Sequence, residues 1–125
     1  MNVDIKKLEV IADNRGWLTE VLKSDPVAIE QVHFSVSKPG AVRGNHFHKS
    51  RIEWMFVTNG TGKITLEDNV SKEKSELTVS GDSPALIKIC PNIMHTIVND
   101  GSGPMHLLIL TSETHGQRDT DTFYK

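Results

Sequence analysis

Cysteine is all but missing from this chain, with one residue, Cys90, in 125. That excludes an intrachain disulfide and a cysteine-rich zinc site. Cys90 also lies in the apolar run ALIKIC, which predicts a buried, inert thiol rather than a nucleophile. An excess of one charge is missing too: 14 Lys and Arg against 16 Asp and Glu leave a net charge of −2. There is thus no basic tail for nucleic acid, no polybasic patch for a membrane and no acidic disordered segment, and small-molecule or protein partners are the default. Long hydrophobic runs are absent. The opening MNVDIKKLEV mixes charged and apolar residues and predicts neither a signal peptide nor a membrane span, hence a cytoplasmic protein. No helix of ordinary length, internal repeat, low-complexity stretch or linker can be traced.

What is present is a succession of short strand signals. KKLEVIA, WLTEVLK, EQVHFSVS, EWMFVT, GKITLED, SELTVS, ALIKIC, HTIVND and MHLLILT are alternating or apolar runs, most of them separated by Gly, Pro, Asn, Asp or Ser. DNRG, KPG, TNGTG, LEDN, SGDSP and NDGSGP supply the turns. So many strands in one chain predict an all-β sandwich or barrel. A chain of 125 residues suits a single domain that buries roughly two-thirds of its unfolded surface. Residues 1–28 are a candidate arm exchanged between subunits, 29–112 the barrel and 113–125 a tail.

Chemistry concentrates in RGNHFHKSRIEW, residues 43–54. Side chains on a strand alternate faces, so His46 and His48 point the same way with Phe47 opposite. A turn at Lys49–Ser50 with an antiparallel return would bring Glu53 beside them, and His95, after CPN, is the third histidine best placed to join. Three imidazoles and a carboxylate make a mixed N/O set for a divalent metal. Taken alone, His-x-His fits a metal site, an acid/base site or a hydrogen-bonded surface pair. In EQVHFSVS, Val32, Phe34 and Val36 share one face and Gln31, His33, Ser35 and Ser37 the other. If Gln31 faces a cavity, so does His33.

The longer pattern Gly40-x5-His46-x-His48-x4-Glu53-x6-Gly60 resembles the first motif of the cupin superfamily in every fixed position. The second motif is partly kept: His95 and Asn99 are correctly spaced, Cys90 stands where Pro is usual and Asn92 where Gly is usual. Asn is the non-glycine residue best suited to a left-handed conformation, so the turn is expected to survive. DNRGWLTEVLK followed by EQVHFSVSKPGAVRGNHFH looks like the opening of the deoxythymidine-diphosphate-4-dehydrorhamnose 3,5-epimerases. RGNHFHKS also resembles the sugar 3,4-ketoisomerases. The glutamate spacing, VSGD and the ending DTDTFYK are most similar to the metal-containing C-terminal cupin domain of capsular-polysaccharide nucleotide-sugar reductases.

The resemblance implies a double-stranded β-helix, or jelly roll, and an epimerase or isomerase acting on a nucleoside-diphosphate-linked 4-keto sugar in cell-surface polysaccharide synthesis. It implies a metal held by His46, His48, Glu53 and His95, zinc first, with iron, manganese and nickel as the other ions. Arg43 would grip the pyrophosphate bidentately. Arg15 and Glu20 would reach the nucleotide from the neighbouring subunit of a homodimer, and Gln31 would line the pocket. A histidine ligated to metal cannot also carry a proton near neutral pH, so His46 would be the base only in a metal-free site. The base is otherwise expected from His33, Glu20 or Tyr124, in that order; His106 and His115 are expected to be structural or exposed. Two other classes fit the metal set or the polar residues: a metal-dependent dioxygenase, and a non-catalytic sugar-binding cupin.

Overall fold

A computed structural model describes residues 1–114 and 119–124. Twelve strands are formed among them: β1 (Val3–Lys7), β2 (Val10–Asp13), β3 (Gly16–Thr19), β4 (Gln31–Ser37), β5 (Val42–Phe47), β6 (Glu53–Asn59), β7 (Thr61–Asp68), β8 (Lys74–Ser80), β9 (Ala85–Ile89), β10 (Ile93–Val98), β11 (Met105–Thr111) and β12 (Phe123–Tyr124). They make two five-stranded antiparallel sheets, ordered β1-β9-β6-β11-β4 and β12-β5-β10-β7-β8, together with the separate hairpin β2-β3. The fold is the expected all-β jelly roll. Among the described residues no helix is long and apolar enough to cross a membrane.

Residues from both sheets meet between them. Met55, Val57, Ile87, Ile89, Met105 and Leu107 of the first sheet pack on Ile64, Leu66, Val79, Ile93 and Ile97 of the second. β6 is buried along almost its whole length because its other face is covered as well. Trp54 and Phe56 lie with Leu8, Leu86 and Leu110 under Val21, Leu22 and Val27. The covering loop is clamped by Asp25, whose carboxylate accepts the Val27 amide at 2.9 Å and pairs with Lys88 Nζ at 3.1 Å. A strand buried on both faces reads as a continuous apolar run rather than an alternation, which is how EWMFVT appears.

Three local features depart from the sequence expectation. KKLEVIA is two strands, because the chain turns at Leu8, which is 5% exposed and belongs to the core. β1 then pairs with β9 inside the chain's own sheet, so within residues 1–28 the part standing clear of the two sheets is the β2-β3 hairpin. The run at Lys49–Ser50 is not a hairpin turn: β5 and β6 belong to different sheets, and residues 48–52 carry the chain across from one to the other. Cys90 is partly rather than fully buried, and that burial raises its thiol pKa, in keeping with an inert side chain.

Candidate metal centre

The second sheet supplies His46 and His95 through one irregularity, and His48 stands just past the end of β5. β10 pairs with β5 in register His95↔His46 and then Thr96↔Gly44, a shift that leaves Asn45 as an extra residue. Gly44 and Asn45 both sit at positive φ, +87° and +57°. A β-bulge reverses the alternation of side chains beyond it. Arg43 and His46 are an odd number of positions apart, yet both line the same cavity. Gly44 has no substitute here, since a Cβ would stand 2.6 Å from the carbonyl oxygen of His95. The turn before β10 depends on Asn92 at φ +67°, the left-handed conformation its side chain tolerates.

Glu53 arrives from the facing sheet, as the first residue of β6. One ligating atom from each of His46, His48, Glu53 and His95 lies within 4.8 Å of all the others. The imidazole centroids are 4.7 Å apart for His46 and His95, 4.9 Å for His46 and His48, and 5.3 Å for His48 and His95. Glu53 Oε1 touches His48 Nε2 and is 3.8 Å from His95 Nε2. His48, Glu53 and His95 are buried, and His46 partly so.

Two of the rings are fixed by carbonyl groups. His48 Nδ1 is 2.8 Å from the Asp121 carbonyl oxygen and His95 Nδ1 is 3.0 Å from that of Ile93. A carbonyl only accepts, so each Nδ1 carries a proton and each Nε2 is turned toward the cluster. There, His95 Nε2 and His46 Nδ1 are buried without a hydrogen-bond partner, while His48 Nε2 has only the Glu53 carboxylate. Such atoms are costly to bury unless something satisfies them. Four donors at about 2.1 Å around a tetrahedral ion are about 3.4 Å apart, so atoms that now lie within 4.8 Å of one another would have to draw together by up to about 1.4 Å to share one.

Burial, with the neighbouring His95 and His48, lowers the His46 pKa to about 4, and burial lowers that of His95. For His48 burial opposes the charge, but Glu53 and the Asp121 carbonyl outweigh it and the pKa is raised. Burial likewise works against the Glu53 carboxylate, and the surrounding imidazoles more than offset it, so its pKa falls. A neutral imidazole and an ionised carboxylate are the forms that bind metal; the directions at His46, His95 and Glu53 favour them, and His48 would release its extra proton on binding.

The cavity over the cluster has a volume of ≈280 Å³. A larger groove of ≈400 Å³ lies between Asn45, Glu67 and Met94, but the one group of ligating side chains among the described residues is in the smaller cavity. His33, Arg43, Arg51 and Tyr124 share its wall with the apolar Met55, Ile97, Leu107 and Ile109. Arg43 is held by Nε on Ser37 Oγ, 2.7 Å, and by Nη2 on the Val36 carbonyl, 3.0 Å. Of the other residues singled out in the sequence, Arg15 is exposed at the β2-β3 hairpin and paired with Asp13 at 2.6 Å. Glu20 is exposed, and Gln31 is half-buried on the His33 face of β4; within this one chain none of the three lines the cavity. His106 meets Phe34 edge-on at 5.7 Å, outside the cavity, and His115 falls outside the described residues. Arg51, Asp119 and Thr122 line the cavity without having been singled out; nothing in their local spacing marks them.

The family described as Polysaccharide biosynthesis C-terminal domain matches residues 11–123. The UDP-2-acetamido-2,6-beta-L-arabino-hexul-4-ose reductase of Pseudomonas aeruginosa is 26% identical over 112 residues, which are 90% of this chain and 30% of the reductase. Capsular polysaccharide assembling protein CapF from Staphylococcus aureus superposes with a TM-score of 0.72 at 32% identity, over 94% of this chain and 32% of that one. The chain therefore spans about a third of the length of these two proteins. QdtA, a sugar 3,4-ketoisomerase from Thermoanaerobacterium thermosaccharolyticum in complex with TDP, matches along nearly its whole length: TM-score 0.82, 27% identity, 99% of this chain and 88% of that one.

Proposed function

This chain belongs to the polysaccharide biosynthesis C-terminal domain family, and on that basis we propose that it is a metal-dependent epimerase or isomerase for a 4-keto sugar carried on a nucleoside diphosphate. The observation that carries the reading is the convergence of His46, His48, Glu53 and His95 within 4.8 Å, in a cavity whose wall also presents His33 and Arg43. A ketoisomerase with TDP bound, similar over 99% of the chain, supports the substrate class. Zinc suits a set of three imidazoles and one carboxylate.

When bound there, the ion would supply Lewis-acid polarisation of the ketone oxygen. His33, reaching the cavity from β4 in the facing sheet, takes the proton α to the ketone and is the base of this reading. Arg43, oriented through Ser37 and the Val36 carbonyl, offers its remaining N–H groups to the diphosphate. Met55, Ile97, Leu107 and Ile109 keep water from the reacting carbons.

The working form is a cytoplasmic homodimer. In the β2-β3 hairpin Ile11 pairs across from Leu18 and Ala12 from Trp17, so apolar side chains project from both faces. Ile11, Trp17 and Leu18 are 61, 51 and 60% exposed, and an isolated hairpin is at best marginally stable in water. β4, an edge strand, exposes Val32, Phe34 and Val36 on its outer face. A second copy would cover both surfaces, and only across such an interface do Arg15 and Glu20 enter the site.

Solvent deuterium exchange tests the proposal. The metal-loaded protein should place deuterium α to the ketone of a TDP- or UDP-linked 4-keto sugar in D2O. Absence of exchange across several such sugars would leave a binding module instead.

A further inference from the structure

Asp121 holds two parts of the chain at once. Its carboxylate accepts the amide N–H groups of Lys49 at 2.9 Å, Ser50 at 3.2 Å and Arg51 at 3.0 Å. These three donors lie in the crossing between the sheets, where no strand partner is at hand. Its backbone carbonyl accepts the Nδ1–H of His48 at 2.8 Å. The segment around it is docked just as closely. Arg51, 4% exposed, pairs with Asp119 and lies 3.6 Å from Asp121 Oδ2. Phe123 stacks on Phe47 at 5.4 Å under the Lys49 ammonium, and Tyr124 meets His46 edge-on at 5.5 Å.

We infer that the segment 119–124 is a strap that assembles the metal centre, with Asp121 as the residue that positions His48. The inference rests on the proposed metal site and adds a group not among its ligands. The two histidines with fixed tautomers differ in how they are held. His95 leans on Ile93 of its own strand, so its ring is oriented by local backbone alone. His48 leans on a residue 73 positions away, so the contact that fixes its Nδ1 exists only while the strap is docked, and without it the ring keeps only Glu53 at Nε2. The Asp121 side chain makes the docking specific: by capping the crossing it holds its own carbonyl in line with the imidazole. Partners of this kind fix the ring and its tautomer and raise ligand basicity.

The test uses the full chain, stripped of metal by a chelator and titrated with zinc alone in competition with a chromogenic chelator, beside ¹⁵N NMR of the imidazoles. Asp121→Ala should weaken zinc binding by about 10- to 100-fold and abolish the slowly exchanging His48 Nδ1–H resonance. The corresponding His95 resonance should persist, which a general loss of structure would not allow. Asp121→Asn keeps one acceptor oxygen and should fall between the two. Wild-type zinc affinity in folded variants, or a His48 Nδ1–H resonance unchanged in them, overturns the inference. If Asp121→Ala does not fold, Asp121→Asn decides by the same two readings. If the wild-type protein binds neither zinc nor iron, manganese or nickel in the same titration, the metal reading fails, and the His48 resonance in the metal-free variants still decides whether the strap orients that ring.

Discussion

Replacing Gly44 by alanine separates two costs that the structure keeps distinct, and two other glycines calibrate them. At Gly103 an added Cβ meets nothing within 4 Å and φ is ordinary; at Gly40 it meets nothing, but φ is +82°. At Gly44 φ is +87° and the new carbon stands 2.6 Å from the His95 carbonyl oxygen and 3.4 Å from Thr96 Cα. Gly103→Ala should therefore lie between neutral and about 1 kcal/mol stabilising, through the unfolded chain. Gly40→Ala should cost about 1–2 kcal/mol, the penalty of a left-handed conformation for an L-residue. Gly44→Ala carries that penalty plus a clash that only backbone movement relieves, about 1–3 kcal/mol more, for a total of about 3 kcal/mol. At about 4 °C per kcal/mol for a domain of this size, the melting temperature should drop by roughly 12 °C in the metal-free protein. The backbone that must move belongs to His95, so metal affinity should fall as well. Urea midpoints and zinc titrations on the three variants check this. Were Gly44→Ala no more costly than Gly40→Ala, the bulge would be unnecessary to the site and the reasoning from close approach wrong.

His33→Gln should lower solvent deuterium exchange by about 10²–10⁴-fold, the range for a general base, while leaving zinc binding intact; an unchanged rate removes His33 as the base. Metal-free protein should lose stability as pH falls from about 6 to 4. The His46 pKa of about 4 lies below the ordinary histidine value, so the unfolded chain binds the proton first, and His95 acts in the same direction. For His46 the ceiling is about 3 kcal/mol, screened by partial exposure to about 1–2 kcal/mol. The raised pKa of His48 adds stability as pH falls toward the ordinary histidine value and adds nothing further below it, so the loss is read between about pH 6 and 4. Urea midpoints in EDTA across that range would contradict this by staying level or rising. Phe34→Asp, on the outer face of β4, should convert the dimer to monomer by light scattering without lowering zinc affinity; a wild-type protein that is already monomeric at micromolar concentration ends that proposal.

The four cluster residues were legible because strand alternation and fixed spacing act locally: His46 and His48 share a face by parity, and the motif spacing points to Glu53 and His95. His33 followed by the same parity, with Val32, Phe34 and Val36 turned outward. Three things were not legible. The crossing at residues 48–52 is as short as a hairpin loop, and only the pairing of β6 with β9 and β11 reveals that it changes sheets. The bulge at Gly44–Asn45 is set by the register with β10, so simple alternation would have put Arg43 and His46 on opposite faces. The role of Asp121 joins segments 73 positions apart through backbone groups that any sequence possesses. Arg15 and Glu20 are a different case, since within one chain they stand away from the cavity and any part in it would need a second copy.

The most direct measurement of the central claim is elemental analysis of the freshly purified protein together with its His95→Ala and Glu53→Gln variants. The account predicts about one divalent ion per chain in the wild type, sharply reduced occupancy in both variants, and restoration of wild-type thermal stability on adding metal only to the wild type. A wild-type protein that holds no ion and gains no stability from zinc, iron, manganese or nickel would contradict it, and would return His46 to the part of a free base.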